Sequence, residues 1–149
     1  MRSRFLLLGT GLIVLAFGAI QFLPAHRTNP PVTAPLSAPP EVSAILGRSC
    51  ADCHSNQTRW PAYARVAPIS WLAIRDVEYG RRQVNFSEWG AYNARTRRHK
   101  LQWMRRALET ESMPPWEYRI GHPGAGLSAA DRAVLIKWID SGLSRAEGQ

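Results

Sequence analysis

Two cysteines and a histidine stand within one short stretch, Cys50-Ala51-Asp52-Cys53-His54, and the 149-residue chain has no other cysteine. This C-x-x-C-H spacing lets two thiols on one turn of helix reach the two vinyl groups of a porphyrin and form thioethers. The histidine that follows can then offer an imidazole nitrogen to the iron. The motif therefore predicts one covalently attached haem c, held by Cys50 and Cys53, with His54 as an axial ligand.

Three other uses of a cysteine pair have to be weighed against haem attachment. A zinc site normally has four ligands, and the chain offers no second cysteine pair to complete the set. A thioredoxin-like motif would lie in a βαβ unit, and no such unit is evident around residues 50–54. A disulfide or a redox-active dithiol between Cys50 and Cys53 remains the alternative.

The N-terminal stretch predicts a membrane segment. Residues 5–23 are apolar except for Thr10 and Gln21, and this length is enough for a helix to cross a bilayer. Positive charge before the stretch favours a cytoplasmic N-terminus and an exported remainder. A cleaved signal peptide is the alternative, but the small residues of a cleavage site are poorly represented. We expect residues 1–24 to be an uncleaved single-pass anchor in the inner (cytoplasmic) membrane, with the following domain in the periplasm.

The next segment, residues 25–40, is rich in proline. Proline disfavours helix and sheet pairing and favours extended polyproline II structure. We expect a semi-rigid or disordered linker that keeps the following domain close to the membrane and leaves it free to swing. The remaining residues, 41–149, then form the haem-binding domain. The linker prolines are Pro30, Pro31, Pro35, Pro39 and Pro40.

The domain has the apolar spacing of helices and lacks the strict alternation of strands. Glycines mark the expected ends of two helices, and Ser128 with Asp131 resembles a capping box at the start of the last one. The fold class predicted from these patterns is all-α. The expected helices span residues 41–54, 68–79, 95–111 and 128–142.

The sixth ligand of a haem iron must come from elsewhere in the chain or be absent. Met113 follows a predicted helix end and precedes two prolines that restrict the backbone, so it is our candidate ligand. His122 is the best substitute. Met104 lies in mid-helix on an apolar stripe, which favours core packing, and His99 lies in a basic run that favours solvent exposure. A vacant sixth position is the other alternative.

The net charge is +8, and basic residues are densest between 95 and 106. We interpret this run as a solvated helix face that could guide an acidic partner protein. An exported domain does not meet nucleic acid, so we expect none as a partner.

Beyond the haem motif, the order of several short motifs resembles the bacterial haem-binding-domain family, which is related to cytochrome c. The resemblance implies a small cytochrome c-like helical domain around one haem c. It carries over Cys50, Cys53 and His54 directly, and Met113 by position. The matching stretches are residues 50–61, residues 67–71 with Gly80-Arg81 and residues 85–89, and Met113-Pro114-Pro115 with Tyr118, His122-Pro123 and Leu127-Ser128.

These observations favour one-electron transfer through a haem iron with fixed His54 and Met113 ligands. The expected partner is a redox protein, periplasmic or membrane-bound, and we expect the chain not to be an enzyme. Two alternatives need an open or displaceable sixth ligand: a peroxidase-like enzyme and a haem-based gas or redox sensor.

Overall fold

The computed structural model describes residues 2–147, with side chains described for residues 3–145. Met1, at the start of the predicted anchor, and residues 148–149, at the end of the predicted domain, lie outside the described residues. Seven α-helices follow one another, and no strand occurs between residues 2 and 147, which confirms the all-α prediction. The helices are α1 (Arg2–Ile20), α2 (Pro40–Ser49), α3 (Ala51–His54), α4 (Ile69–Gln83), α5 (Ala94–Glu109), α6 (Trp116–Gly121) and α7 (Ala129–Glu147). Two 3₁₀ turns add Ala62–Arg65 and Trp89–Ala91.

Helix α1 is apolar on every side and exposed along its length. Its segment Ser3–Ile20 has a mean hydropathy of 1.9 and is long enough to cross a membrane. A helix that is hydrophobic all round is normally buried in a protein core or in a membrane, and none of the segment Ser3–Ile20 is buried by the rest of this chain. Length and composition therefore make α1 a candidate membrane-spanning helix.

The core of the domain is formed where α2, α5 and α7 meet. Helix α7 packs against α5 and α2, so the first and last helices of the domain are in contact. Helix α4 packs against α3 and against the 3₁₀ turn before it. Apolar residues at helical spacing supply the buried cluster, which buries enough surface to be the main stabilising term. Its members include Val42, Ile45, Leu46, Val84, Leu101, Met104, Leu108, Leu127, Leu135 and Ile139.

Two glycines predicted to end helices lie inside them. Helix α4 continues past Gly80 to Gln83, and α7 continues past Gly142 to Glu147. Both glycines occupy tight contacts: a Cβ at Gly142 would lie 3.0 Å from a Leu101 methyl group. Their role is close packing against another element, which the local sequence does not distinguish from a helix end. The capping box is present, because Ser128 and Asp131 exchange hydrogen bonds at the start of α7.

The predicted helix 41–54 is divided into α2 and α3 at Cys50. The backbone of Cys50 leaves the helical region with φ −132° and ψ −34°. This break turns α3 toward α4. Helix α6 lies outside the four helices expected from the sequence.

The proline-rich segment is extended but it is not free. The backbone N–H groups of Thr33 and Ala34 donate to the carbonyl of Ser87, and Leu36 donates to Phe86 at 2.7 Å. We expected this segment to leave the domain free to swing, whereas the structure shows it hydrogen-bonded to the domain. Prolines cannot donate backbone hydrogen bonds, but the residues between them can, and these residues attach the segment to the domain surface.

Candidate functional site

His54 is buried and its ring is held in one orientation. Its Nδ1 lies 3.0 Å from the carbonyl oxygen of Gly80 and 3.1 Å from that of Val84. Only a protonated Nδ1 can donate to carbonyl oxygens, so Nε2 carries the free lone pair that a metal requires. Burial lowers the pKa of His54, although the two backbone hydrogen bonds oppose this effect. The neutral ring is the form that ligates iron.

Gly80 makes this orientation possible. A Cβ at position 80 would lie 2.5 Å from the carbonyl oxygen of Cys53, closer than atoms can approach. Because glycine has no Cβ, α4 can approach α3 closely enough for the Gly80 carbonyl to reach His54. The helix contact and the histidine hydrogen bond therefore depend on the same residue.

The two cysteines are free thiols beside His54. Burial raises the pKa of Cys50 to about 12 and that of Cys53 to about 11. Both thiols are therefore neutral at physiological pH, unlike the low-pKa thiolates of dithiol redox sites. Among residues 3–145, whose side chains the structure describes, no group of three or more His, Cys, Asp or Glu side chains is placed to hold a metal ion.

A cavity of about 860 Å³ adjoins the thiols and the imidazole. Helices α2 to α6 all contribute to its wall, which is mainly apolar. Two buried polar atoms on this wall, Ser49 Oγ and Trp60 Nε1, have no hydrogen-bond partner in the structure. An apolar cavity with a free imidazole nitrogen, two thiols and unpartnered donors fits a haem, whose ring is apolar and whose propionates accept hydrogen bonds. The apolar lining includes Leu46, Leu72, Val77, Phe86, Trp103, Met104, Leu108 and Leu135.

Three of the four candidates for a sixth ligand line the cavity, and one does not. Met113 is half-buried just beyond α5 and lines the same cavity as His54. Met104 and His122 also line the cavity, while His99 is exposed on α5. The structure thus places Cys50, Cys53, His54 and Met113 on the wall of one cavity. The roles of these residues as attachment points and ligands remain predictions.

Asp52, inside the C-x-x-C-H motif, forms a polar cluster that sequence reasoning missed. Its buried carboxylate accepts hydrogen bonds from the Tyr118 hydroxyl at 2.9 Å, from Arg59 Nε at 3.1 Å and from the Arg59 backbone N–H at 3.0 Å. Burial raises the pKa of Asp52, but these hydrogen bonds and the charge of Arg59 together outweigh burial and lower it. The sequence does contain a signal for the ion pair of this cluster: Asp52 lies between the two cysteines, seven positions before Arg59.

Tyr118 also belongs to an aromatic cluster on the cavity wall. Its ring stacks on that of His122, with centroids 3.9 Å apart and planes inclined by 15°. The His122 ring meets Tyr63 edge-on at 6.0 Å. The cluster therefore connects α6, which follows Met113, to the 3₁₀ turn before α4. Tyr63 is far from Tyr118 and His122 in the chain, so no local sequence pattern indicates that it joins them.

An all-helical chain with a free imidazole nitrogen and two thiols on one apolar cavity has the features of a haem protein. The chain belongs to the family described as the haem-binding domain, whose model matches residues 15–141. This confirms the family resemblance seen in the sequence. No solved structure matches the chain.

The chain is also similar to cytochrome c peroxidase Ccp of Escherichia coli K12. The two are 26% identical over 113 residues, which represent 69% of this chain and 24% of the peroxidase. The chain therefore spans about a quarter of the length of this relative. The similarity contradicts our prediction that the chain is not an enzyme, which relied on the haem motif and on an iron with fixed His54 and Met113 ligands. A C-x-x-C-H motif specifies attachment of the cofactor and carries no information about the reaction.

Proposed function

We propose that the chain is a c-type haem protein of the periplasm that is anchored in the inner membrane and transfers single electrons. The observation that carries this proposal is the position of Cys50, Cys53, His54 and Met113 on one cavity wall. The apolar helix α1 supports the anchor. The net charge of +8 suits a partner with an acidic surface, which we take to be a periplasmic or membrane-bound redox protein.

Four side chains would hold the cofactor. The thiols of Cys50 and Cys53 would each add across a vinyl double bond: a carbon–sulfur bond forms, the thiol proton moves to the other vinyl carbon, and no electrons are transferred from outside. His54 would bind the iron through Nε2 and Met113 through its thioether sulfur. Ser49 and Trp60 have the unpartnered donors suited to propionate oxygens.

The bound haem would supply an iron that alternates between two oxidation states. The chain itself contributes the environment of that iron. The carbonyls of Gly80 and Val84 keep His54 in one tautomer and one orientation. The apolar lining excludes water, and a thioether ligand raises the reduction potential.

Covalent attachment is tested by replacing both thiols. We expect Cys50→Ser combined with Cys53→Ser to abolish haem staining of the chain on a denaturing gel, because no thioether can form. The matched control is Ser43→Ala, because Ser43 is exposed on α2 outside the cavity lining and the substitution leaves both thiols intact. Staining that survives the double substitution would remove covalent attachment from the proposal.

Axial ligation is tested at Met113. We expect Met113→Leu to retain the haem and to lose the weak long-wavelength band typical of methionine-ligated ferric haem. It should also lower the reduction potential and allow carbon monoxide to bind the reduced protein rapidly. Met104→Leu is the matched control, because Met104 lines the same cavity from within α5. An unchanged spectrum in Met113→Leu would rule out Met113 as the ligand.

Peroxide reduction is the second candidate function. The similarity to cytochrome c peroxidase favours it, and polar side chains on the cavity wall are consistent with it. Tyr63, Tyr118 and His122 could donate or accept protons beside a substrate. We expect this activity only if Met113 is absent from the iron or readily displaced.

Peroxidase activity is measured by mixing the purified haem-loaded chain with hydrogen peroxide and a reduced one-electron donor. Oxidation of the donor at a rate that increases in Met113→Leu would support this function. A rate equal to that of the chain with both cysteines replaced by serine would reject it.

A further inference from the structure

Two hydrogen bonds join the end of α1 to the loop that precedes α4. The Gln21 side chain donates from Nε2 to the carbonyl oxygen of Ala67 at 3.1 Å, and the Ala67 N–H donates to Gln21 Oε1 at 2.9 Å. Gln21 follows the last residue of α1 directly. This reciprocal pair fixes Ala67 close to the point where α1 ends.

Another hydrogen bond joins the same two parts of the chain a few residues beyond Gln21. Arg27 donates from its guanidinium to the carbonyl oxygen of Ala64 at 3.1 Å. Ala64 is in the 3₁₀ turn Ala62–Arg65, which precedes Ala67. Two separate contacts therefore hold residues 62–67 against the chain that leaves α1, so this side of the domain has a defined position relative to the helix.

Three apolar side chains next to Ala67 are exposed to solvent. The exposed fraction is 45% for Val66 and 50% for both Ile69 and Leu72. Ile69 and Leu72 are three residues apart on α4 and share one face. Both also lie at the rim of the haem cavity, whereas Val66 lies outside its lining. We call Val66, Ile69 and Leu72 the apolar rim.

We propose that the apolar rim rests in the outer interface of the membrane that α1 crosses. This inference depends on the anchor in the proposed function. A 19-residue helix is about 28 Å long, close to the hydrocarbon thickness of a bilayer, so its end lies at the membrane surface. Val66 and Ile69 are one and two residues from Ala67, hence within roughly 8 Å of it.

The charges around the rim suit an anionic lipid surface. Arg65 is exposed beside Val66, and Arg27 emerges from the segment that follows α1. Apolar side chains flanked by arginines are the usual composition of a surface that lies in the headgroup region. With the rim on the membrane, the adjacent edge of the haem cavity faces the bilayer. Of the two partner classes proposed above, periplasmic and membrane-bound, this arrangement favours an electron carrier in or on the membrane.

The test uses the full haem-loaded chain in vesicles of phosphatidylethanolamine and phosphatidylglycerol. A photoreactive residue is introduced as Val66→benzoylphenylalanine, and lipid adducts are measured by mass spectrometry after illumination. The matched control is Ser141→benzoylphenylalanine, because Ser141 is exposed on α7, which packs against α2 and α5. We expect several-fold more lipid adduct at position 66 than at position 141.

A third variant tests these contacts themselves. Gln21→Ala combined with Arg27→Ala in the position-66 background removes both contacts and should reduce the adduct several-fold while the chain still resists extraction by alkaline carbonate. Equal adduct at positions 66 and 141, or an adduct that this double substitution does not reduce, would overturn the inference and leave the anchor standing. A chain that carbonate extracts would overturn the anchor and the inference together.

Discussion

Two backbone hydrogen bonds determine the tautomer and the ring orientation of His54. Two carbonyls from α4 and the residue after it accept from Nδ1 and leave Nε2 for a metal. Both carbonyls are positioned by the close approach of α4 to α3 at Gly80. At the scale of single residues, the orientation of His54 therefore depends on Gly80, which acts through the absence of a side chain.

We expect Gly80→Ala to destabilise the fold by about 1–3 kcal/mol, because the added methyl group must displace the Cys53 carbonyl. The substitution should also shift the His54 orientation and change the haem spectrum. Thermal unfolding and the optical spectrum measure the two effects. Gly47→Ala is the control: a Cβ there meets no atom within 4 Å, so it should stabilise α2 by roughly 0.5–1 kcal/mol. Equal stability of the two variants would contradict this packing argument.

Helix α6 and the residues before it form the element that carries the ligand candidate. This short helix is anchored by a hydrogen bond from Tyr118 to Asp52, which joins it to the haem motif. A six-residue helix is unstable by itself, so its position depends on such tertiary contacts. The element that bears Met113 is thus fixed to the element that bears the thiols.

We expect Tyr118→Phe to weaken the fold by about 1.5–3 kcal/mol, because the buried Asp52 carboxylate loses a hydrogen bond. The segment around Met113 should become looser, so carbon monoxide should bind the reduced protein faster and the reduction potential should fall. Tyr79→Phe is a control, since Tyr79 is exposed on α4. Carbon monoxide kinetics identical in Tyr118→Phe and the unchanged chain would contradict the link between Tyr118 and Met113.

At the scale of the whole molecule, the proline-rich segment belongs to the structure of the domain. Leu36 and Ala38 pack against the core, and Asn56 donates to the Pro31 carbonyl at 2.8 Å. Asn29 of the segment donates to the Thr58 carbonyl. These contacts attach the segment to the surface of the domain over residues 29–38.

We expect the segment to resist trypsin at Arg27 in the folded chain, because cleavage requires local unfolding of a hydrogen-bonded segment. Asn56→Ala removes the contact with Pro31 and should accelerate cleavage there several-fold. Cleavage at Arg145, exposed near the end of α7, serves as the internal reference. Rapid cleavage at Arg27 in the unchanged chain would show that the segment is free after all.

The sequence by itself determined the local features: the contiguous haem motif, the helical class and the apolar length of α1. These depend on residues close together in the chain, and their spacing is readable. Tertiary structure decided the acceptors of His54, the Asp52–Tyr118 hydrogen bond and the attachment of the proline-rich segment. Those contacts join residues from 25 to 66 positions apart. Such pairs have no local pattern, because only packing of α3, α4 and α6 around one cavity brings them together.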